Sequence, residues 1–172
     1  MKTLTDQLTQ YAAYHRDRRN IATHFVGIPM IVVALAVLLS RPASAFGVLP
    51  FAVSPAWIVF GAATLYYFAL DLPLGAAMAL ISAACLALGG WIASSSTAAW
   101  LGTGVALFVI GWVFQFVGHV AYEHRKPAFA DDLIGLVIGP LFVLAEALFG
   151  LGWRPGLREA IENATTAPHA RP

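Results

Sequence analysis

The chain has 172 residues, of which 59% are hydrophobic and only 11% charged, and its formal net charge is +1. With a mean hydropathy of +0.75, this composition excludes an ordinary soluble domain and points to an integral membrane protein. No basic stripe of the kind that binds nucleic acid is present, and the lone Cys85 excludes a disulfide or a thiolate metal cluster, leaving a lipid-facing or packed-core residue.

About four or five spans of roughly 20 residues fit the length, with no room for a separate soluble domain. Residues 1–160 therefore read as one membrane-embedded domain and 161–172 as a flexible tail. Residues 3–19 are polar, with Leu4, Leu8, Tyr11 and Tyr14 at helical spacing, which predicts a short amphipathic helix on the membrane surface ending in Arg16-Asp17-Arg18-Arg19. Ile21 to Leu39 is the first span, interrupted near its start by Gly27 and Pro29. Ala43-Ser44-Ala45 after it has the small residues of a signal-peptide cleavage site, but the segment ahead of the apolar run is too long for a signal peptide. A Pro-, Gly- and Ala-rich loop over 42–55 is expected to rest on the bilayer interface.

Ala56 to Leu70 and Leu74 to Ala93 form a predicted hairpin of two spans turning at Asp71-Leu72-Pro73. After a polar Ser94-Ser95-Ser96-Thr97 connection, Trp100 reads as the interfacial anchor of a fourth span that continues to Val120 and closes at Glu123-His124-Arg125-Lys126. Residues 133–152 are apolar again, with Gly139-Pro140 breaking the run and Glu146 in its second half, which fits either a span or a re-entrant pair of half-helices. Four spans place Arg16, Arg18, Arg19, Arg125, Lys126, Arg154, Arg158 and Arg171 on one side, the cytoplasmic one. The expected fold is an all-α membrane bundle of about four transmembrane helices, with an N-terminal amphipathic helix and a kinked or re-entrant C-terminal segment. Its N terminus and any site at that border would be cytoplasmic, in a bacterial inner membrane.

His15, His24, His119 and His124 all lie at or beside the charged ends of apolar runs, and this topology brings them to one face. Residues four apart share a helical face, so Tyr11 with His15, Asn20 with His24, and Gln115 with His119 and Glu123 form three ridges, each offering a ligand and a helper. His15 and His24 are about half a turn out of phase on one continuous helix, so they meet only if the chain bends between them, around Arg18 to Asn20. With Glu123 and Asp131 or Asp132 as carboxylates, imidazoles suit Fe(II), Mn or Zn better than Ca or Mg. The bland alternatives are interfacial histidines, a structurally bonded Glu146, and an Arg16 to Arg19 cluster that sets topology and meets headgroups, with a secondary role as a carboxylate receptor.

Tyr14-His15, Asn20, His24 and Pro29, followed by Gly111-Trp112-Val113-Phe114-Gln115-Phe116-Val117-Gly118-His119, then Glu123, Arg125, Pro127-Ala128, Asp132, Pro140 and Glu146, carry a resemblance over about residues 5–155. The chain resembles the small membrane 2-hydroxy fatty acid dioxygenases related to the fungal enzyme of phytosphingosine breakdown. The resemblance implies an Fe(II)-dependent, non-haem oxygenase that shortens 2-hydroxy fatty acids by one carbon with dioxygen, working among membrane lipids. It also implies that His15, His24 and His119 hold the metal, whereas His124 departs from the family pattern, in which another basic residue can stand. Glu123 is then a catalytic candidate, with Asp132, as a further ligand or a supporting partner. Asn20, Gln115, His124, Arg19, Arg125, Lys126 and Glu146 are candidates for support or for substrate contact. Two other classes compete: a haem protein with His24 and His119 as axial ligands, which would show a Soret band, and a transporter or lipid-binding scaffold, which would bind ligand without consuming oxygen.

Overall fold

The computed structural model describes residues 2–45, 52–124 and 134–166. Among them are seven α-helices: α1 (Leu4–Ala13), α2 (Arg18–Leu38), α3 (Pro55–Leu70), α4 (Leu72–Ala93), α5 (Thr97–Val117), α6 (Ile134–Gly150) and α7 (Pro155–Thr166). A two-residue antiparallel pair, β1 (Ser44–Ala45) with β2 (Ala52–Val53), sits between α2 and α3. Three helices are long and apolar enough to cross a membrane: α2, α4, and α5 with the π-helical turn Gly118–Glu123 that continues it. A third or less of the residues in their apolar windows is buried inside the protein, and Leu80 and Trp91 are more than 70% exposed, the arrangement that lipid contact requires. α3 has 16 residues, or about 24 Å of helix against a hydrocarbon core of about 30 Å. The second expected span, Ala56 to Leu70, is thus the shortest of the four.

Contacts group the chain into two compact units, Met1–Ile28 with Phe114–Pro172, and Pro29–Val113. In the second, Asp71 turns α3 into α4: it closes α3 with its backbone and caps α4 by accepting the Leu74 N–H at 3.0 Å. Cys85 is buried with Ala36 and Phe60, so the packed-core reading of the thiol holds. Gly89 lets α4 lie against α2, because a Cβ there would come within 2.6 Å of the Ala36 carbonyl. Trp100 is half-buried and donates its indole N–H to the Val37 carbonyl at 2.7 Å, while Arg41 lies over its ring and bonds the Ala93 and Ser95 carbonyls. The residue read as a lipid-interface anchor is therefore also a tie within the protein.

In the first unit, α1 opens with a capping box: the Thr3 hydroxyl accepts from the Asp6 N–H and the Asp6 carboxylate accepts from the Thr3 N–H. Its apolar ridge, Leu4, Leu8 and Tyr11, is buried, and α1 packs on α6 and α7. The amphipathic helix expected at the membrane surface turns its apolar ridge to protein, where burying each leucine side chain is worth about 1.5–3 kcal/mol. α6 runs unbroken through Gly139 and Pro140, and the break falls after Gly150, where the chain turns by 119° into α7. Gly139 serves packing: a Cβ there would lie 2.9 Å from the Tyr11 hydroxyl and 3.1 Å from Ile28. The bent α6–α7 pair is the expected kinked or re-entrant C-terminal segment, with its corner about ten residues downstream of Gly139-Pro140, where Gly152 and Arg154 adopt positive φ. α7 carries helix through Thr166, into the stretch read from the sequence as tail.

Candidate metal centre

Three segments of the first unit supply its histidines. His15 lies in the Tyr14–Asp17 break between α1 and α2, His24 nearly two turns into α2, and His119 in the π-helical turn that ends α5. The bend needed to bring His15 to His24 comes just ahead of Arg18, and Asp17 enforces it by accepting the Arg19 N–H at 2.8 Å, the pattern of a helix N-cap. Hydrogen bonds from the Arg19 side chain and backbone hold the Asp17 carboxyl down to about 2. All three histidines are at most 3% exposed, and they offer ligand nitrogens within 4.8 Å of one another. Their rings meet edge-on, with centroids 4.4–4.9 Å apart and interplanar angles of 68–83°.

Protons make this geometry informative. His15 Nδ1 donates to the Tyr11 carbonyl at 2.7 Å and His24 Nδ1 to the Asn20 carbonyl at 2.9 Å. A carbonyl only accepts, so each Nδ1 carries the hydrogen and each Nε2 carries a lone pair. Those two Nε2 atoms face each other at 3.0 Å. Lone pairs repel, and a buried unsatisfied acceptor costs about 1–3 kcal/mol. A shared proton would relieve the clash, but burial, reinforced by the neighbouring His24, pushes the His15 imidazole well below its usual 6.5. A cation relieves it better: nitrogens 3.0 Å apart can both bind one metal ion at the usual bond length of about 2.1 Å. His119 completes the group, and its Nδ1 is buried with no hydrogen-bond partner among the described residues.

The scaffold holds the rings still. Tyr11 stacks on His15 at 4.1 Å and 6°, with Phe142 behind it at 4.8 Å. The helpers foreseen four residues before His15 and His24 thus act both through their backbone carbonyls, a role open to any residue type, and through their side chains, the Tyr11 ring on His15 and the Asn20 amide on Glu123. Gly118 sits tightly against α2, where a Cβ would collide with Thr23 Oγ1 and Asn20 Oδ1. Glu123 Oε1 accepts the Arg16 N–H at 2.6 Å, the Asp17 N–H at 2.7 Å and the Asn20 side-chain amide at 3.2 Å. The carboxylate thus ties the turn that carries His119 to the break that carries His15 and the start of the helix that carries His24.

The other candidates divide. Asn20 and Gln115 are buried, with Asn20 Oδ1 and Gln115 Nε2 unpartnered among the described residues. His124 is exposed in a left-handed conformation at the end of the π-helical turn, away from the trio. Arg19 is exposed, paired to Asp17 at 2.7 Å and laid over Tyr122. Arg125, Lys126, Asp131 and Asp132 lie outside the described residues. Glu146 and His15 border one cleft of about 1210 Å³, together with Phe25 and Phe142 and the cations Arg16, Arg18 and Arg158. From the sequence, Arg18 reads only as part of the Arg16 to Arg19 cluster, with no role separate from its neighbours. Its place on one ridge with Ile21, Ala22 and Phe25 was the available signal.

A family model described as "2-hydroxy-palmitic acid dioxygenase Mpo1-like" matches residues 1–151. The chain belongs to this family. A Saccharomyces cerevisiae relative, "2-hydroxy-palmitic acid dioxygenase MPO1", is 33% identical over 161 residues, which covers 93% of this chain and 88% of the relative. The matched stretch contains all three histidines and Glu123. No solved structure matches the chain.

Proposed function

We propose that this protein is a non-haem Fe(II) dioxygenase that shortens membrane-dissolved 2-hydroxy fatty acids by one carbon with dioxygen, with His15, His24 and His119 as the metal ligands. The observation that carries this reading is the pair of proton-free nitrogens facing each other at 3.0 Å beside a third buried imidazole. Family membership supports the substrate class, since the yeast relative is named for 2-hydroxy-palmitic acid. Bound Fe(II) would supply the redox chemistry that dioxygen needs to react with a hydroxy acid.

The chain's own groups do the rest. The Tyr11 and Asn20 carbonyls fix the tautomers of His15 and His24, so both present a lone pair without first losing a proton. Burial of the trio keeps bulk water from the reacting atoms. Glu123 acts as a positioning residue through its bonds to three donors of the 16–20 turn. A cleft with an apolar side at Phe25 and Phe142 and a cationic side at Arg16, Arg18 and Arg158 suits a molecule with an acyl chain and a carboxylate. The haem alternative loses support on geometry. His24 and His119 have ring centroids 4.9 Å apart with His15 wedged against both, which leaves no room for a porphyrin plane between them.

We place the protein in a bacterial inner membrane with the N terminus and site on the cytoplasmic side; the arginine distribution supports the orientation. A cysteine placed at Lys2 should resist impermeant thiol reagents in intact spheroplasts, and rapid labelling there would reverse the orientation. The function is tested by oxygen uptake of the Fe(II)-loaded, detergent-purified protein with 2-hydroxypalmitate, products being read by mass spectrometry beside His119→Ala. An acid one carbon shorter, lost in the variant, is expected. Full turnover by His119→Ala would sink the ligand assignment.

A further inference from the structure

We propose that Arg18 receives the carboxylate of the substrate and makes the site selective for the free acid; this rests on the dioxygenase reading and assigns a residue within it. Three guanidiniums line the cleft that His15 borders, and two of them are already engaged. Arg158 Nε donates to Glu162 at 2.7 Å, and Arg16 Nη2 reaches the Thr165 carbonyl at 3.4 Å. The Arg18 side chain makes no hydrogen bond or ion pair among the described residues. Two carboxylates, Glu146 and Glu162, also line the cleft. Among the described residues, its surplus positive charge is therefore Arg18, the guanidinium of the three whose donor fork is unused.

Helical geometry joins that charge to an apolar path. Arg18, Ile21, Ala22 and Phe25 recur at three- and four-residue spacing and all line the cleft. The ridge climbs about 10 Å from Arg18 to Phe25 at 1.5 Å per residue, from the charged start of α2 into its membrane-crossing part. An acyl chain laid along it keeps its carboxylate at Arg18, on the end of the cleft that holds the His15 break, while its tail meets Phe25 and lipid. A planar guanidinium takes a carboxylate through two parallel hydrogen bonds, which an ester or thioester lacking the negative charge cannot match. Arg19, one position on, projects elsewhere and is tied to Asp17 and Tyr122.

The test uses the full chain in phosphatidylcholine nanodiscs, loaded with redox-inactive Zn(II) for binding of radiolabelled 2-hydroxypalmitate and with Fe(II) for turnover. The methyl ester serves as the uncharged comparison. Arg18→Gln is expected to raise Kd and KM for the acid about tenfold with little change for the ester, and Arg18→Lys to recover much of the loss. Wild-type affinity for the acid in Arg18→Gln would overturn the assignment and leave Arg18 a headgroup contact. Equal losses for acid and ester, or a lowered Tm, would make its role structural and overturn it too. A wild-type protein that neither binds nor consumes the acid would overturn the dioxygenase reading itself, and this inference with it.

Discussion

Glu123 offers the sharpest test of how the centre is held. Replacing it by Gln keeps the shape and removes the charge from an oxygen that accepts three hydrogen bonds, two of them at 2.6 and 2.7 Å. A bond to a charged acceptor contributes about 1.5–3 kcal/mol and a neutral one about 0.5–1.5, so the loss is about 1 kcal/mol per bond. Because Glu123 is only half-buried, solvent screening reduces the total to about 1.5 kcal/mol. The larger effect falls on the metal: untying an outer partner of a ligand set typically costs about 10- to 100-fold in affinity. Competitive titration with a chelator would measure that loss, and a Co(II) spectrum would report the ligands. The expected result for Glu123→Gln is weaker binding with an unchanged spectrum at saturation. A changed spectrum would make Glu123 a ligand, and affinity within about twofold of wild type would show that the tie is dispensable; either result refutes the reasoning.

Gly118→Ala should destabilise by about 1–3 kcal/mol, the usual range for overpacking, because its Cβ meets Thr23 and Asn20. Weaker metal binding should accompany the loss, and a denaturant titration showing wild-type stability would count against the close approach. Asp6 predicts a pH dependence. The Thr3 backbone N–H, then its hydroxyl, hold the Asp6 carboxyl below 3.8 in the folded chain, so its contribution is complete above the unfolded value and is lost as pH falls through the lower native one. The stability gap between wild type and Asp6→Asn should stay constant above about pH 5 and close on further acidification; a gap that widens would contradict the capping box.

Much of the fold was legible because the bilayer imposes a simple rule. Backbone groups must be satisfied within each segment, so a long apolar run such as Leu72–Ala93 has almost no structure open to it but a helix. The punctuation was equally local: Asp71 ahead of Pro73 marked the α3–α4 corner with side-chain chemistry that needs no distant partner. His15, His24 and His119 stood out for a related reason, as polar residues at the ends of apolar runs.

The sequence could not show where α1 goes, since an amphipathic ridge is the same whether it meets lipid or protein, and only packing on α6 and α7 decided it. Nor could it place the corner after α6: Gly139-Pro140 looks like a breaker, yet the helix continues through it and Gly139 serves as a packing site for Tyr11. Glu123 could be read as a ligand or a support from its spacing to His119. Its partners, the Arg16 and Asp17 backbone N–H groups more than 100 positions away, exist only after folding. Local chemistry and hydrophobic length are written in the chain itself, and so are the carbonyls four residues back that settle which nitrogen of His15 and His24 keeps its proton; which rings meet, and which carboxylate ties the segments together, are set by contacts between segments far apart in sequence.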